Sequence, residues 1–130
     1  MKERYQSAKV VLTGQEHNKL KNYLEAIYGL KSNLRNDYFQ FQDFNFDYLE
    51  EVVENLSRVI FRSESLPEML TFEILEECAY SINRLFYHMN YFESIKGTLR
   101  LSFVESLHDD FWKMVQIKYK DYQEAQHPNR

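Results

Sequence analysis

Turn-forming residues are scarce in this chain, with only three glycines and two prolines among 130 residues. Sandwiches and barrels need many tight turns, and phosphate-binding loops need clustered glycines. Apolar residues make up 44% of the chain, which is enough for a hydrophobic core without disulfides or a structural metal. We therefore predict an all-α fold in a single helical domain that spans residues 1–130.

Two stretches in the first half combine a helix-start motif with apolar residues at helical spacing. Thr13-Gly14-Gln15-Glu16 has the form of a capping box, and Asp47-Tyr48-Leu49-Glu50 is similar. We predict one helix that begins at Thr13 and exits at Asn36–Asp37, and a second that begins at Asp47. The predicted buried stripes are Leu20, Tyr23, Leu24, Ile27, Leu30 and Leu34 in the first helix and Leu49, Val52, Val53, Leu56, Val59 and Ile60 in the second.

Proline and glycine mark the third predicted helix. Pro67 suits the first helical position, because its missing N–H would be unpaired there, and Gly97 suits the end. Cys78 lies on the apolar stripe of this helix and is predicted to be buried and unreactive. The fourth helix is predicted to begin at the Ser102–Glu105 capping box, or earlier at Thr98, and residues 126–130 are expected to fray.

The connections between these helices are short, which predicts a compact antiparallel four-helix bundle. Residues 1–12 are expected to add a short helix or a tail packed on the bundle. Residues 38–46 are rich in phenylalanine, and we expect a connector whose rings close one end of the bundle. Because Phe39 and Phe41 alternate with polar residues, a strand remains the alternative for this stretch.

The chain carries no apolar run near the ~18–20 residues that a membrane span needs, so no contact with a membrane is predicted. No hydrophobic stretch of the signal-peptide type follows the first residues. The single cysteine cannot form an internal disulfide, which is typical of a reducing compartment. We expect a cytoplasmic protein.

Charge is distributed unevenly along the chain. Residues 1–36 carry a net charge of +4, residues 37–83 carry −9 and residues 84–130 carry +1. The carboxylates concentrate on the second helix and the first half of the third, whose outer faces would form one acidic ridge if the two helices are antiparallel neighbours. A solvated surface with helix-dipole carboxylates is the alternative interpretation. The predicted partner-binding carboxylates are Asp47, Glu50, Glu51, Glu54, Glu73, Glu76 and Glu77.

Such a ridge suits a protein partner with a basic surface, for example a nucleic-acid-handling protein, since opposite potentials speed encounter and carboxylates imitate phosphates. Direct binding of nucleic acid is disfavoured, because the sequence pI is about 5.6. The basic N-terminal segment could instead pair with the ridge of a second copy, which would give a homodimer. Trp112, Tyr119 and Tyr122 are further candidate anchors, unless residues 1–12 or 38–46 cover them.

Motifs for chemistry are sparse. Glu105 and His108 have the spacing of a di-iron ligand pair, but the second pair that such a site needs is missing, so we predict no metal. The chain has no nucleophile elbow, Walker A loop or dinucleotide fingerprint, and no cofactor is expected.

Residues 81–92, Ser-Ile-Asn-Arg-Leu-Phe-Tyr-His-Met-Asn-Tyr-Phe, resemble a helical segment of HEPN-domain proteins, which are small all-α bundles that include RNases. The resemblance implies that Arg84 holds the scissile phosphate and His88 acts as general acid or base. Fewer residues separate Arg84 from His88 than is usual in that family. The alternative is that both lie on the polar side of a structural helix.

These observations favour a non-catalytic helical protein that binds and inhibits or neutralises a macromolecular partner through an acidic face. Immunity proteins, antitoxins and phage-encoded inhibitors are proteins of this type. A HEPN-like RNase, or an inactive relative of one, is the alternative function.

Overall fold

Four α-helices contain most of the described residues, which are 5–36, 43–92, 95 and 98–126 in this computed structural model. The helices are α1 (Gly14–Asn36), α2 (Asp47–Ser65), α3 (Phe72–Met89) and α4 (Leu99–Gln126). A three-residue 3₁₀ turn, Pro67–Met69, lies between α2 and α3. The described residues contain no β-strand, and the only β-type pairing among them is a single antiparallel bridge between Lys9 and Thr71.

Each helix is antiparallel to the next, and α4 returns to α1, so the predicted four-helix bundle is confirmed. For each pair of neighbouring helices, residues near the end of one helix contact residues near the start of the other. The contacts are His17–Glu64 and Lys31–Glu50 between α1 and α2, Glu51–Arg84 and Arg58–Glu77 between α2 and α3, Asn83–His108 and Phe72–Tyr119 between α3 and α4, and Glu16–Lys118 and Tyr23–Asp110 between α4 and α1.

The predicted apolar stripes form the core. On α2, Val53 is half-buried and the other five stripe residues are buried. On α1, Tyr23 and Leu24 are half-buried and the remaining stripe is buried. Cys78 is fully buried, as predicted. The core therefore follows the 3.6-residue period of the sequence.

The start of α1 confirms its capping box. The Thr13 backbone N–H donates to Glu16 Oε1 at 2.8 Å, and the Glu16 N–H donates to Thr13 Oγ1 at 3.0 Å. These two reciprocal bonds satisfy N–H groups that the first turn of a helix leaves without an intrahelical acceptor.

The cap predicted for α2 is wrong, although the start position is right. Asp47 is already the first residue of the helix, and its N–H donates to Asn45 Oδ1 at 2.9 Å. The Glu50 N–H donates to the carbonyl of Phe46 at 3.0 Å rather than to a side chain. Asn45 therefore supplies the side-chain acceptor that the sequence assigned to Asp47.

The predicted start of the third helix at Pro67 is also wrong. Pro67 heads the 3₁₀ turn, and α3 begins five residues later at Phe72. Residues 5–12 form an N-terminal strap that pairs with the intervening backbone: the Val10 N–H donates to the carbonyl of Leu70 at 2.8 Å, and the Phe72 N–H donates to the carbonyl of Ala8 at 3.2 Å. This pairing holds Leu70 and Thr71 in extended conformations, which delays the helix.

The end of α3 corrects one prediction, and the start of α4 supports the earlier of the two predicted starts. α3 ends at Met89 rather than at Gly97, because the N–H groups of Asn90 and Phe92 close turns onto preceding carbonyls. α4 begins after Thr98, whose carbonyl accepts the Ser102 N–H at 3.2 Å, so Ser102 lies inside the first turn. Of the predicted tail, residues 5–12 are described and pack on the bundle as the strap, and residues 1–4 lie outside the described residues.

Residues 43–46 of the aromatic connector are described, and they form a turn without strand pairing. Phe44 is buried and Phe46 packs against the core, at the end of the bundle where α2 begins. Outside the described residues lie the rest of the connector, the predicted exit at Asp37, the Gly97 stop and residues 127–130 of the tail that was predicted to fray. The first residue of that predicted tail, Gln126, is the last residue of α4. Within the described part of the chain, no helix combines the length and the apolar composition needed to cross a membrane.

Candidate functional site

The predicted partner-binding residues lie on different parts of the surface. Glu50 points towards α1, where it contacts Lys31 and Arg35. Glu76 and Tyr119 lie beside the strap. The outer face shared by α2 and α3, which we call the α2/α3 face, carries the other carboxylates, and Trp112 of α4 borders it. That face includes Asp47, Glu51, Glu54, Glu73 and Glu77.

Within residues 5–36, the basic side chains are paired with this chain's own carboxylates. Arg35 Nη2 lies 3.7 Å from Glu50 Oε1, and Lys21 Nζ lies 3.9 Å from Glu64 Oε2. Lys9 and Lys19 pair in the same way with carboxylates of the 3₁₀ turn and of α4. Exposed pairs of this kind contribute only ~0–1 kcal/mol each to stability. They explain much of the uneven charge along the sequence as complementarity within the fold.

A polar cleft of about 330 Å³ lies at the centre of the α2/α3 face. Two ion pairs cross the helices there: Arg84 contacts Glu51, and Arg58 Nη1 lies 3.5 Å from Glu77 Oε2. Glu54 is exposed and has no ion-pair partner among the described residues. The lining residues are Glu51, Glu54, Asn55, Glu77, Tyr80 and Arg84.

The α2/α3 face keeps a net negative charge after its internal pairs are counted. Its five carboxylates oppose three guanidinium groups, those of Arg58, Arg62 and Arg84, so the net charge is −2. Asp47 and Glu73 are exposed and, like Glu54, have no ion-pair partner in the described ranges. The free carboxylates are therefore spaced along the face rather than gathered at one point.

Two tyrosines of α3 belong to this face and were not singled out from the sequence. Tyr80 lines the cleft, and its ring packs edge-to-face on Trp112 with centroids 5.8 Å apart. Tyr87 lies two turns further along α3, and 61% of its surface is exposed. Their spacing from Arg84 in the sequence could have identified them, because it places all three residues off the buried stripe of α3.

Tyr119, a predicted anchor, is partly covered by the N-terminal strap. The Tyr5 ring packs on it with centroids 5.2 Å apart, and Phe72 packs on Tyr119 and Tyr122. The Tyr5 hydroxyl donates to Glu76 Oε2 at 2.8 Å, and this hydrogen bond, aided by burial, raises the pKa of Tyr5 to about 12. The strap therefore covers part of Tyr119, whereas the ring that packs on Tyr122 belongs to α3.

Arg84 and His88 each have a partner within the protein. The backbone N–H of Asn45 donates to His88 Nε2 at 2.8 Å, and the imidazole packs against the rings of Phe44 and Tyr48. Because Nε2 accepts this bond, the ring is neutral with its proton on Nδ1. Burial lowers the pKa of His88. The ion pair of Arg84 with Glu51 joins α3 to α2, and the hydrogen bond of His88 with Asn45 joins α3 to the turn before α2.

His108 also has neighbours of its own. Its Nε2 lies 3.0 Å from Asn83 Oδ1, and its ring stacks on Phe86. No group of three or more His, Cys, Asp or Glu side chains is arranged to hold a metal ion within residues 5–36, 43–92, 95 and 98–126. Burial raises the pKa of the Cys78 thiol well above its ordinary value.

Comparisons with known proteins found no match for this chain among family models, curated proteins or solved structures.

Proposed function

We propose that this chain is a small binding protein without catalysis of its own, of the immunity-protein, antitoxin or phage-inhibitor type. It attaches to a basic surface of a macromolecular partner through the α2/α3 face and thereby inhibits or neutralises that partner. The main support for this proposal is the position of Glu54 in a cleft between two packed helices. Its carboxylate is exposed and has no ion-pair partner among the described residues.

Physical chemistry supports this role for a rigid, negatively charged face. Fixed charges of one sign attract a partner of opposite sign, which raises the association rate and orients the encounter. A carboxylate already paired within its own chain contributes less, because the neighbouring cation cancels its field. The free groups Glu54, Glu73 and Asp47 should therefore matter most for attraction.

Reversing two free carboxylates, Glu54→Lys together with Glu73→Lys, is expected to slow association with the partner about tenfold or more at low salt. The partner is recovered from a lysate of the native host with the wild-type chain as bait, and association is then measured by surface plasmon resonance. The difference should shrink at high salt, because exposed charges are screened there.

The matched control is Glu25→Lys together with Glu124→Lys. Both residues are exposed, neither has an ion-pair partner in the described part of the chain, and the net charge changes by the same amount. Equal association rates for the two double variants would contradict a role for the α2/α3 face.

The resemblance to HEPN-domain RNases gives a separate prediction. Because Arg84 and His88 are both held by partners within the fold, we expect the purified chain to leave RNA uncleaved, as an Arg84→Ala/His88→Ala variant does. Gel electrophoresis of a labelled RNA after incubation with each protein measures this. Cleavage by the wild type alone would establish the enzymatic function instead.

A further inference from the structure

The outermost line of α3 carries exposed aromatic side chains at helical spacing. Tyr80, Arg84 and Tyr87 follow each other at steps of four and three residues, so they lie on one line. Tyr91 continues this spacing in the turn that follows the helix. The exposed fractions of the three tyrosines are 52%, 61% and 83%. Large aromatic rings in such a row are unusual for a surface that contacts only water.

The two sides of this line differ in chemistry. On the side of α2 lie the carboxylates of the cleft, Glu51 and Glu54. On the side of α4 lie the Trp112 ring, packed against Tyr80, and the stacked pair of Phe86 and His108. The face is therefore acidic along one edge and aromatic along the other, with the tyrosines between.

We infer that the occupant of this face is an amphipathic helix of the partner protein, with basic residues along one edge and apolar residues beside them. This inference rests on the proposed function and specifies the partner segment. Basic side chains would meet Glu54 and the neighbouring carboxylates, and apolar side chains would pack on Tyr80, Tyr87 and Trp112. Tyrosine, tryptophan and arginine are the residue types that contribute most to binding at protein interfaces.

The dimensions of the row suit a short helix. Tyr91 lies eleven positions after Tyr80, which corresponds to about 16 Å, or three helical turns. A partner helix that lies along α3 presents side chains every three or four residues and can reach each tyrosine in turn.

Charge argues against a second copy of this chain as the occupant. Two copies would bring together two faces that each carry a net charge of −2. The basic residues of α1 do not compensate, because they already contact carboxylates of their own chain. They are Lys19, Lys21, Lys31 and Arg35.

The test uses a fluorescein-labelled, alanine-rich helical peptide of about 18 residues, with leucines on one face and arginines along one edge of it. Fluorescence anisotropy measures its affinity for the full chain. We expect saturable binding to the wild type, about tenfold weaker binding to Tyr80→Ala/Tyr87→Ala, and unchanged binding to Tyr28→Ala, a half-exposed tyrosine of α1. A peptide with glutamates in place of the arginines should not bind.

Each other outcome overturns the inference in a distinct way. If the tyrosine variants bind the peptide as the wild type does, the aromatic row is not the docking surface. The proposed function is tested separately, by the effect of Glu54→Lys/Glu73→Lys on association with the native partner. If sedimentation shows a wild-type dimer that Tyr80→Ala/Tyr87→Ala dissociates, the occupant is a second copy. Two controls separate loss of binding from loss of fold. Circular dichroism is recorded for each variant, and the single change Tyr87→Ala leaves the Tyr80–Trp112 contact intact.

Discussion

Replacing Phe72 with alanine is expected to lower the free energy of unfolding by about 3–5 kcal/mol. Only 2% of Phe72 is exposed, and its ring packs edge-to-face on Tyr5, Tyr119 and Tyr122 at centroid distances of 5.8, 6.2 and 5.8 Å. One side chain thus joins the N-terminal strap, α3 and α4. Its removal would leave a cavity and remove three aromatic contacts, each of which contributes about 0.5–1.5 kcal/mol beyond area burial.

Urea unfolding followed by circular dichroism measures this change. Phe61→Ala is the matched control, because the same atoms are removed from a side chain that is 56% exposed, and the expected loss there is within about 0.5 kcal/mol. Domains of this size are stable by about 5–15 kcal/mol, so the Phe72 variant should unfold at a much lower urea concentration. A loss similar to that of the Phe61 variant would show that the strap and α4 do not depend on this ring.

Acidification below neutral pH is expected to destabilise the end of the bundle that contains His88. Burial lowers the pKa of His88 in the folded chain, whereas in the unfolded chain it returns to about 6.5. The unfolded state then binds a proton that the folded state does not, so the contribution is present above about pH 6.5 and is lost as pH falls towards the folded pKa. Protonation also removes the acceptor for the Asn45 N–H, since both ring nitrogens would then be donors.

His88→Gln is the informative comparison, because the glutamine amide oxygen can accept the Asn45 N–H without titrating. Free energies of unfolding are measured from urea curves between about pH 7.5 and pH 5, with the Asn45 amide followed by NMR. The wild type should lose more stability over this range than the variant. Equal pH dependence of the two proteins would exclude His88 as the source. The pKa values of Asp110 and Glu16 are also lowered, but the stability that these carboxylates contribute is lost only at more acidic pH.

The helices and core could be predicted from the sequence because they depend on local chemistry. The Thr13–Glu16 capping box and the 3.6-residue apolar period act within a few residues, and both are confirmed. The errors at Pro67 and Asp47 had different causes. Pairing with the strap, distant in sequence, displaced the start of α3, whereas Asn45 and Asp47 are both good capping residues only two positions apart.

The distribution of the acidic residues could not be predicted because it depends on which helix lies beside which. Successive residues on a helix point about 100° apart. Glu50 therefore contacts α1 whereas Glu51 contacts Arg84 of α3, and Glu76 contacts Tyr5 of the strap whereas Glu77 contacts Arg58 of α2. The charge count of the sequence was correct, but only the neighbours show which carboxylates stay free for a partner.

The N-terminal strap affects how the chain reaches its final state. Tyr5 and Glu76 are 71 positions apart, and the hydrogen bond between them closes a long loop. Closing such a loop costs entropy, and the surface that receives Tyr5 includes Phe72 of α3 and Tyr119 of α4. We therefore expect the strap to dock after these two helices have packed together. During synthesis the strap leaves the ribosome before its binding site on α3 has been made, so it is fixed in place only after much of the chain that follows it has emerged.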